Sequence, residues 1–137
     1  MFSRDRLLGR RKPLDVSRLA RDEVTGLFNR GSFVKSLQDA VDRAAESDSS
    51  VGLMIVELTR FRAVNDTWGH AAGDKILVAV AEALGGRLRP RDLAARYGGE
   101  EFVLVLPETD GVGSEVVAER IRKKIEGKNA IHNFTFS

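Results

Sequence analysis

Two adjacent glycines, Gly98 and Gly99, separate two short apolar runs, Leu93 to Tyr97 and Phe102 to Leu106. Glycines between two runs of strand-forming residues turn the chain back on itself as an antiparallel hairpin. No other feature constrains the fold as strongly, because a hairpin lays two strands side by side and sets where their flanking residues emerge. The flanks then have to pack on it. Val51-Gly52-Leu53-Met54-Ile55-Val56 is a continuous apolar run, the pattern of a strand covered on both faces. From Asn29 onward Phe33, Leu37, Val41 and Ala45 recur every four residues, until Glu46-Ser47-Asp48-Ser49-Ser50 closes that helix in a polar loop. Ile76, Leu77, Val80, Leu84 and Leu88 mark a second helix, weakened by Gly85 and Gly86 and stopped by Pro90. Val117, Ile121 and Ile125 mark a third, and Phe134-Thr135-Phe136-Ser137 alternates like the start of another strand. Helices alternating with buried strands predict an α/β fold, an α+β sandwich with a central sheet surrounded by helices.

The chain has 137 residues, enough for one domain with a true core, since 42% of them are hydrophobic. It has no cysteine, which excludes a disulfide framework and thiolate metal sites. The longest apolar run is far too short to span a bilayer, and the N-terminus lacks the apolar stretch of a signal peptide, so a cytoplasmic location is expected. Charge is unevenly spread. Residues 1–21 carry seven arginines and lysines against two aspartates, while the whole chain is only +2, so a basic arm precedes a mildly acidic body. No aromatic residues interleave with those charges, and the arm reads as a linker to an upstream domain, with a short helix near its end, rather than as a nucleic-acid or membrane binder.

Carboxylates cluster around the hairpin. Glu57 ends the first strand, and Glu100 and Glu101 begin the last. If those two strands are antiparallel neighbours, Glu57 approaches the glutamate pair at one edge of the sheet. Alternation sends Glu100 and Glu101 to opposite faces, so one of them faces Glu57 directly unless the turn bends the backbone. Clustered carboxylates suit a hard cation such as magnesium, and glycines beside them let a phosphate approach the backbone. The chemistry implied is transfer at a nucleotide phosphate. Taken alone, two adjacent glutamates after a glycine turn are as consistent with a solvated surface hairpin.

Four separated stretches, in order, resemble the GGDEF (diguanylate cyclase) family. Asp22-Glu23-Val24-Thr25-Gly26-Leu27-Phe28-Asn29-Arg30 is similar to its opening signature. Phe61 to Asp74, reading Phe-Arg-Ala-Val-Asn-Asp-Thr-Trp-Gly-His-Ala-Ala-Gly-Asp, resembles its central motif. Arg89-Pro90-Arg91-Asp92 resembles its inhibitory Arg-x-x-Asp, and Arg96 to Phe102 its signature hairpin in Glu-Glu form. The resemblance implies a fold similar to nucleotidyl cyclases and the polymerase palm, a GGDEF domain over residues 22–137, and condensation of two GTP into cyclic di-GMP by facing domains of a homodimer.

Carried onto this chain, the resemblance makes Asn65 and Asp74 guanine ligands, with His70 nearby, Arg62 near the phosphates, and Gly98 and Gly99 along the phosphate path. Glu57, the Leu58 carbonyl and Glu100 would hold Mg²⁺ (or Mn²⁺), and Glu100 and Glu101 would be catalytic. Arg89 and Asp92 would bind product as feedback inhibitor, with Arg43 and Arg120 as secondary contacts. Three positions depart from the family pattern. Glu57-Leu58-Thr59 stands where Asp-x-Asp is usual, and Arg62 where lysine is common. The family also continues with a strand, a hairpin and a helix beyond this chain's last residue, so the C-terminal part of the fold is expected to be missing and one sheet edge incomplete. The departures leave a second reading open, a catalytically weak or inactive domain serving as a cyclic di-GMP receptor or regulatory module. A third is a domain that binds GTP without turnover.

Overall fold

The computed structural model describes residues 14–86, 88–126 and 133–136. The basic segment up to Pro13, and Ser137 at the end of the expected last strand, lie outside them. The first described element is a single 3-10 turn, Val16–Arg18, capped by Asp15, whose carboxylate accepts from Ser17 N at 3.1 Å. Leu19, just after it, is already buried. Helix α1, Arg30–Ser47, starts at Asn29, whose side chain accepts from Ser32 N at 3.0 Å, and stops at Asp48 in the left-handed region. Strand β1, Val51–Glu57, follows.

Two helices come next. The sequence pattern marked none over residues 61–68, yet α2 occupies Phe61–Trp68. It is short and entered through Arg60 at φ 61° with no side-chain cap, so neither periodicity nor a capping residue announces it. Helix α3 runs His70–Gly85 and ends before Leu88, which packs against the core from the following loop. Gly69, at φ 90°, joins α2 to α3 in a conformation that favours glycine. Strands β2, Leu93–Arg96, and β3, Glu101–Pro107, form the hairpin, and α4, Gly111–Glu126, and β4, Asn133–Phe136, complete the order.

The sheet is antiparallel throughout, in the order β2-β3-β1-β4. Central β3 is buried on both faces. Phe102, Leu104 and Leu106 meet Met54 and Val56 of β1, Leu77, Val80 and Leu84 of α3, and Ile121 and Ile125 of α4. Val103 and Val105 turn the other way, toward Leu19, Phe33 and Ala40 under α1. Each such fully buried side chain contributes roughly 1.5–3 kcal/mol. On β1 the α1-facing residues Val51, Leu53 and Ile55 are half-buried, so that strand is less completely covered than its apolar run predicts. This layering matters for function because it brings the C-terminal end of β1 beside the hairpin turn.

Candidate active site

The register decides which acids meet. Val51 lies opposite Pro107, and the ladder runs to Glu57 opposite Glu101. Opposed residues of an antiparallel pair project to the same face, so Glu101, not Glu100, is the direct neighbour of Glu57. Glu100 sits at the turn, where its carbonyl accepts from Leu58 N at 3.1 Å. Like charges directly opposed across a sheet are unfavourable without a cation nearby. The donors in reach of this edge are carboxylates and backbone carbonyls, oxygen ligands that match magnesium in kind. Their side chains are not drawn together: among the described residues, no group of three acids or histidines converges closely enough to hold a metal ion.

The turn is built for space rather than for unusual backbone angles. Neither Gly98 nor Gly99 has positive φ. A Cβ on Gly98 would fall 2.7 Å from Oε1 of Glu101, so the missing side chain is what lets that carboxylate fold back over the turn. Tyr97 N and Gly98 N both donate to the Glu101 carbonyl, at 2.8 and 3.3 Å.

Arg96 holds this turn from below, a role that sequence reasoning did not assign. Its Nε donates to the Gly98 carbonyl at 3.2 Å and its Nη2 to the Gly99 carbonyl at 2.9 Å. Its Nη1 reaches both carboxylate oxygens of Asp22 at 3.3 Å. Asp22 in turn accepts from Thr25 N and Thr25 Oγ1, each at 2.8 Å. Burial alone raises the Asp22 carboxyl, but the Thr25 hydrogen bonds and the Arg96 charge outweigh it and hold the group below the usual aspartate range. The opening signature and the hairpin signature, far apart in sequence, are thus one hydrogen-bonded unit. The available sequence signal was an arginine on the strand just before the glycines.

The proposed base-binding residues gather at the α2–α3 junction. Asn65 is half-buried in α2, and its Oδ1 is enclosed without a hydrogen-bond partner. A Cβ on Gly73 would collide with that oxygen, so Gly73 makes the room in which the Asn65 side chain lies. Asp74 is the next residue, and His70 lies one turn earlier on the same exposed face of α3. Arg62 is exposed on the first turn of α2.

The Arg89/Asp92 pair is distinct from the hairpin. Asp92 is 2% exposed at its side chain, and Arg89 Nη2 meets its Oδ1 at 2.9 Å. The Asp92 hydrogen bond pushes the Arg89 guanidinium above its usual range. The pair borders an open cleft of about 480 Å³ that Arg120 also lines. Arg43, paired with Asp39 at 3.0 Å, lines an adjoining groove of about 280 Å³ that shares Ser49, Asp92 and Glu108 with that cleft. The structure therefore places Arg120 in one cleft with both members of the pair, and Arg43 with Asp92 in the adjoining groove.

A four-stranded antiparallel sheet between helices, with acids at the joined ends of its central strands, has the architecture of the nucleotidyl cyclase fold. A family model for the diguanylate cyclase GGDEF domain matches residues 19–135, and the chain belongs to that family. It is 41% identical over 106 residues to the probable diguanylate cyclase DgcT of Escherichia coli K12, covering 77% of this chain and 23% of that protein. It is 39% identical over 106 residues to the response regulator PleD of Caulobacter vibrioides, with the same coverages of 77% and 23%. The structure matches the GGDEF domain of DgcB from Caulobacter crescentus, solved in complex with c-di-GMP, at a TM-score of 0.79 and 29% identity, over 92% of this chain and 79% of that one. The chain spans about a quarter of the length of these two curated relatives. No helix among the described residues is long and apolar enough to cross a membrane.

Proposed function

We propose that this chain is the output domain of a diguanylate cyclase, joining two GTP molecules into cyclic di-GMP and two pyrophosphates. The observation that carries the reading is the β1–β3 register, which sets Glu57 against Glu101 beside a glycine turn that Arg96 clamps. Asn65 and Asp74 supply an amide and a carboxylate, the groups that pair with the donor and acceptor edge of guanine. Arg62 faces the phosphates, with His70 nearby, and Gly98 and Gly99 leave the phosphate path open. Glu57, the Leu58 carbonyl and Glu100 are the residues that would hold Mg²⁺ (or Mn²⁺), and a cation there would neutralise phosphate charge. The 3′-hydroxyl of one GTP attacks the α-phosphate of the other and pyrophosphate leaves. Glu100 takes the hydroxyl proton, and Glu101, the next residue along the chain, supports it. One half-site holds one GTP, so the reaction needs two domains face to face in a homodimer. Residues 1–21 join this domain, taken as residues 22–137, to an upstream sensor domain, and the protein acts in the cytoplasm.

Product returns to Arg89 and Asp92 as a feedback ligand, with Arg120 across the same cleft and Arg43 contributing from the adjoining groove. The full-length protein, incubated with GTP and magnesium, is expected to yield cyclic di-GMP by chromatography, and Glu100→Gln to yield none. No product from the wild type at high protein concentration overturns the cyclase reading. The second reading, a cyclic di-GMP receptor without turnover, is favoured by Glu57-Leu58-Thr59, a longer acid and an uncharged residue where two aspartates are usual. Calorimetry then shows product binding, abolished by Arg89→Ala, in a protein that makes none.

A further inference from the structure

A free arginine side chain gives up conformational freedom on binding a ligand, so a guanidinium already held at a set angle recognises one better. Asp92 grips one edge of Arg89, through Nε at 3.2 and 3.3 Å and Nη2 at 2.9 Å. A second grip comes from outside the Arg-x-x-Asp motif. With one Nη2 hydrogen on Asp92, the other is shared between the Pro107 carbonyl at 2.9 Å and Thr109 Oγ1 at 2.7 Å. The Thr109 hydroxyl accepts from Arg89 and donates to the same Pro107 carbonyl at 2.9 Å, so its proton has one defined direction. Thr109 is 8% exposed, and its N–H donates to the Ser50 carbonyl at 3.1 Å. Its methyl lies about 3.0 Å from where a Cβ on Gly113 would sit, so the absence of a side chain there leaves the methyl its room. Half the Arg89 side chain stays exposed beside the cleft, and its Nη1 end is not engaged by these contacts.

We propose that Thr109 is a positioning residue for the Arg89/Asp92 ligand site, holding the inner edge of the guanidinium so that the Nη1 end and the flat face are presented to a purine nucleotide. The inference rests on the reading of that pair as the product site. It assigns Thr109 no contact with the ligand and no part in turnover. Gly113 belongs to the same device, because a side chain there would crowd the Thr109 methyl.

The test uses the full-length protein and cyclic di-GMP in calorimetry, with melting curves as a check on folding. Thr109→Val keeps the shape and removes the hydroxyl, so affinity is expected to fall about fivefold, the scale of ordering one freed side chain on binding. Thr109→Ser restores the hydroxyl and is expected to bind within about twofold of wild type. Gly113→Ala crowds Thr109 while keeping its hydroxyl, and weaker binding is expected there too. Wild-type affinity in both Thr109→Val and Gly113→Ala overturns the proposal, as does Thr109→Ser binding as weakly as Thr109→Val. Failure of the wild type to bind cyclic di-GMP overturns the product-site reading itself, and this inference with it.

Discussion

A Cβ on Gly98 would fall 2.7 Å from the Glu101 carboxylate, and nothing comparable surrounds Gly99. The two glycines of the signature are therefore unequal. Gly98→Ala is expected to push Glu101 out of place and cut turnover on the order of 100-fold, the scale of a small misplacement of a catalytic group. Gly99→Ala should be much milder in the same cyclase assay, and melting curves should show both variants folded. Asp22 gives a pH prediction. Its carboxyl titrates lower in the folded chain than in the unfolded one. The stability it contributes is thus complete above the ordinary aspartate range and lost as pH falls through the depressed folded value. Urea titrations should show Asp22→Asn less stable than wild type by roughly 1–2 kcal/mol at neutral pH, with the gap closing on the acid side of about pH 4.

At the level of whole elements, α4 packs on β1 through a small-residue contact. The Ser114 hydroxyl, buried and without a hydrogen-bond partner, occupies the space that a side chain at Gly52 would fill. Gly52→Ala is expected to destabilise by about 1–3 kcal/mol, the usual cost of overpacking. Ser114→Ala removes the colliding oxygen, so in the double variant part of that loss should return, a coupling of about 1 kcal/mol in denaturant unfolding. Elements also differ in how legible they were. Helix α1 and strand β1 stood out in the sequence because long periodic runs reflect burial, and Asn29 supplied a recognisable cap. Helix α2 did not, since it is short, has no fully buried residue and begins at a left-handed Arg60. That omission mattered, because Asn65 reaches its place under Gly73 only through the α2–α3 turn at Gly69.

On the scale of the molecule, strand β2 separates two sites, the turn clamped by Arg96 at one end and the Arg89/Asp92 pair just before the other. A ligand that binds only the folded domain stabilises it by mass action. Cyclic di-GMP at a hundred times its Kd is expected to add about 2.7 kcal/mol, read as a raised Tm, and Arg89→Ala should abolish the shift. No shift in the wild type would count against a product site in this cleft.

Family membership, the hairpin and the set of chemically apt residues were all legible in the sequence, because each depends on local spacing that survives without a structure. Which residues meet was not. Side chains in a strand alternate with period two, so a register change of one residue exchanges Glu100 for Glu101 opposite Glu57, and register is set by pairing between distant strands. The Asp22–Arg96–glycine clamp, the meeting of Arg120 with the Arg89/Asp92 pair in one cleft and the Thr109 grip on Arg89 arise in the same way. They join residues far apart in the chain, so tertiary packing alone determined them.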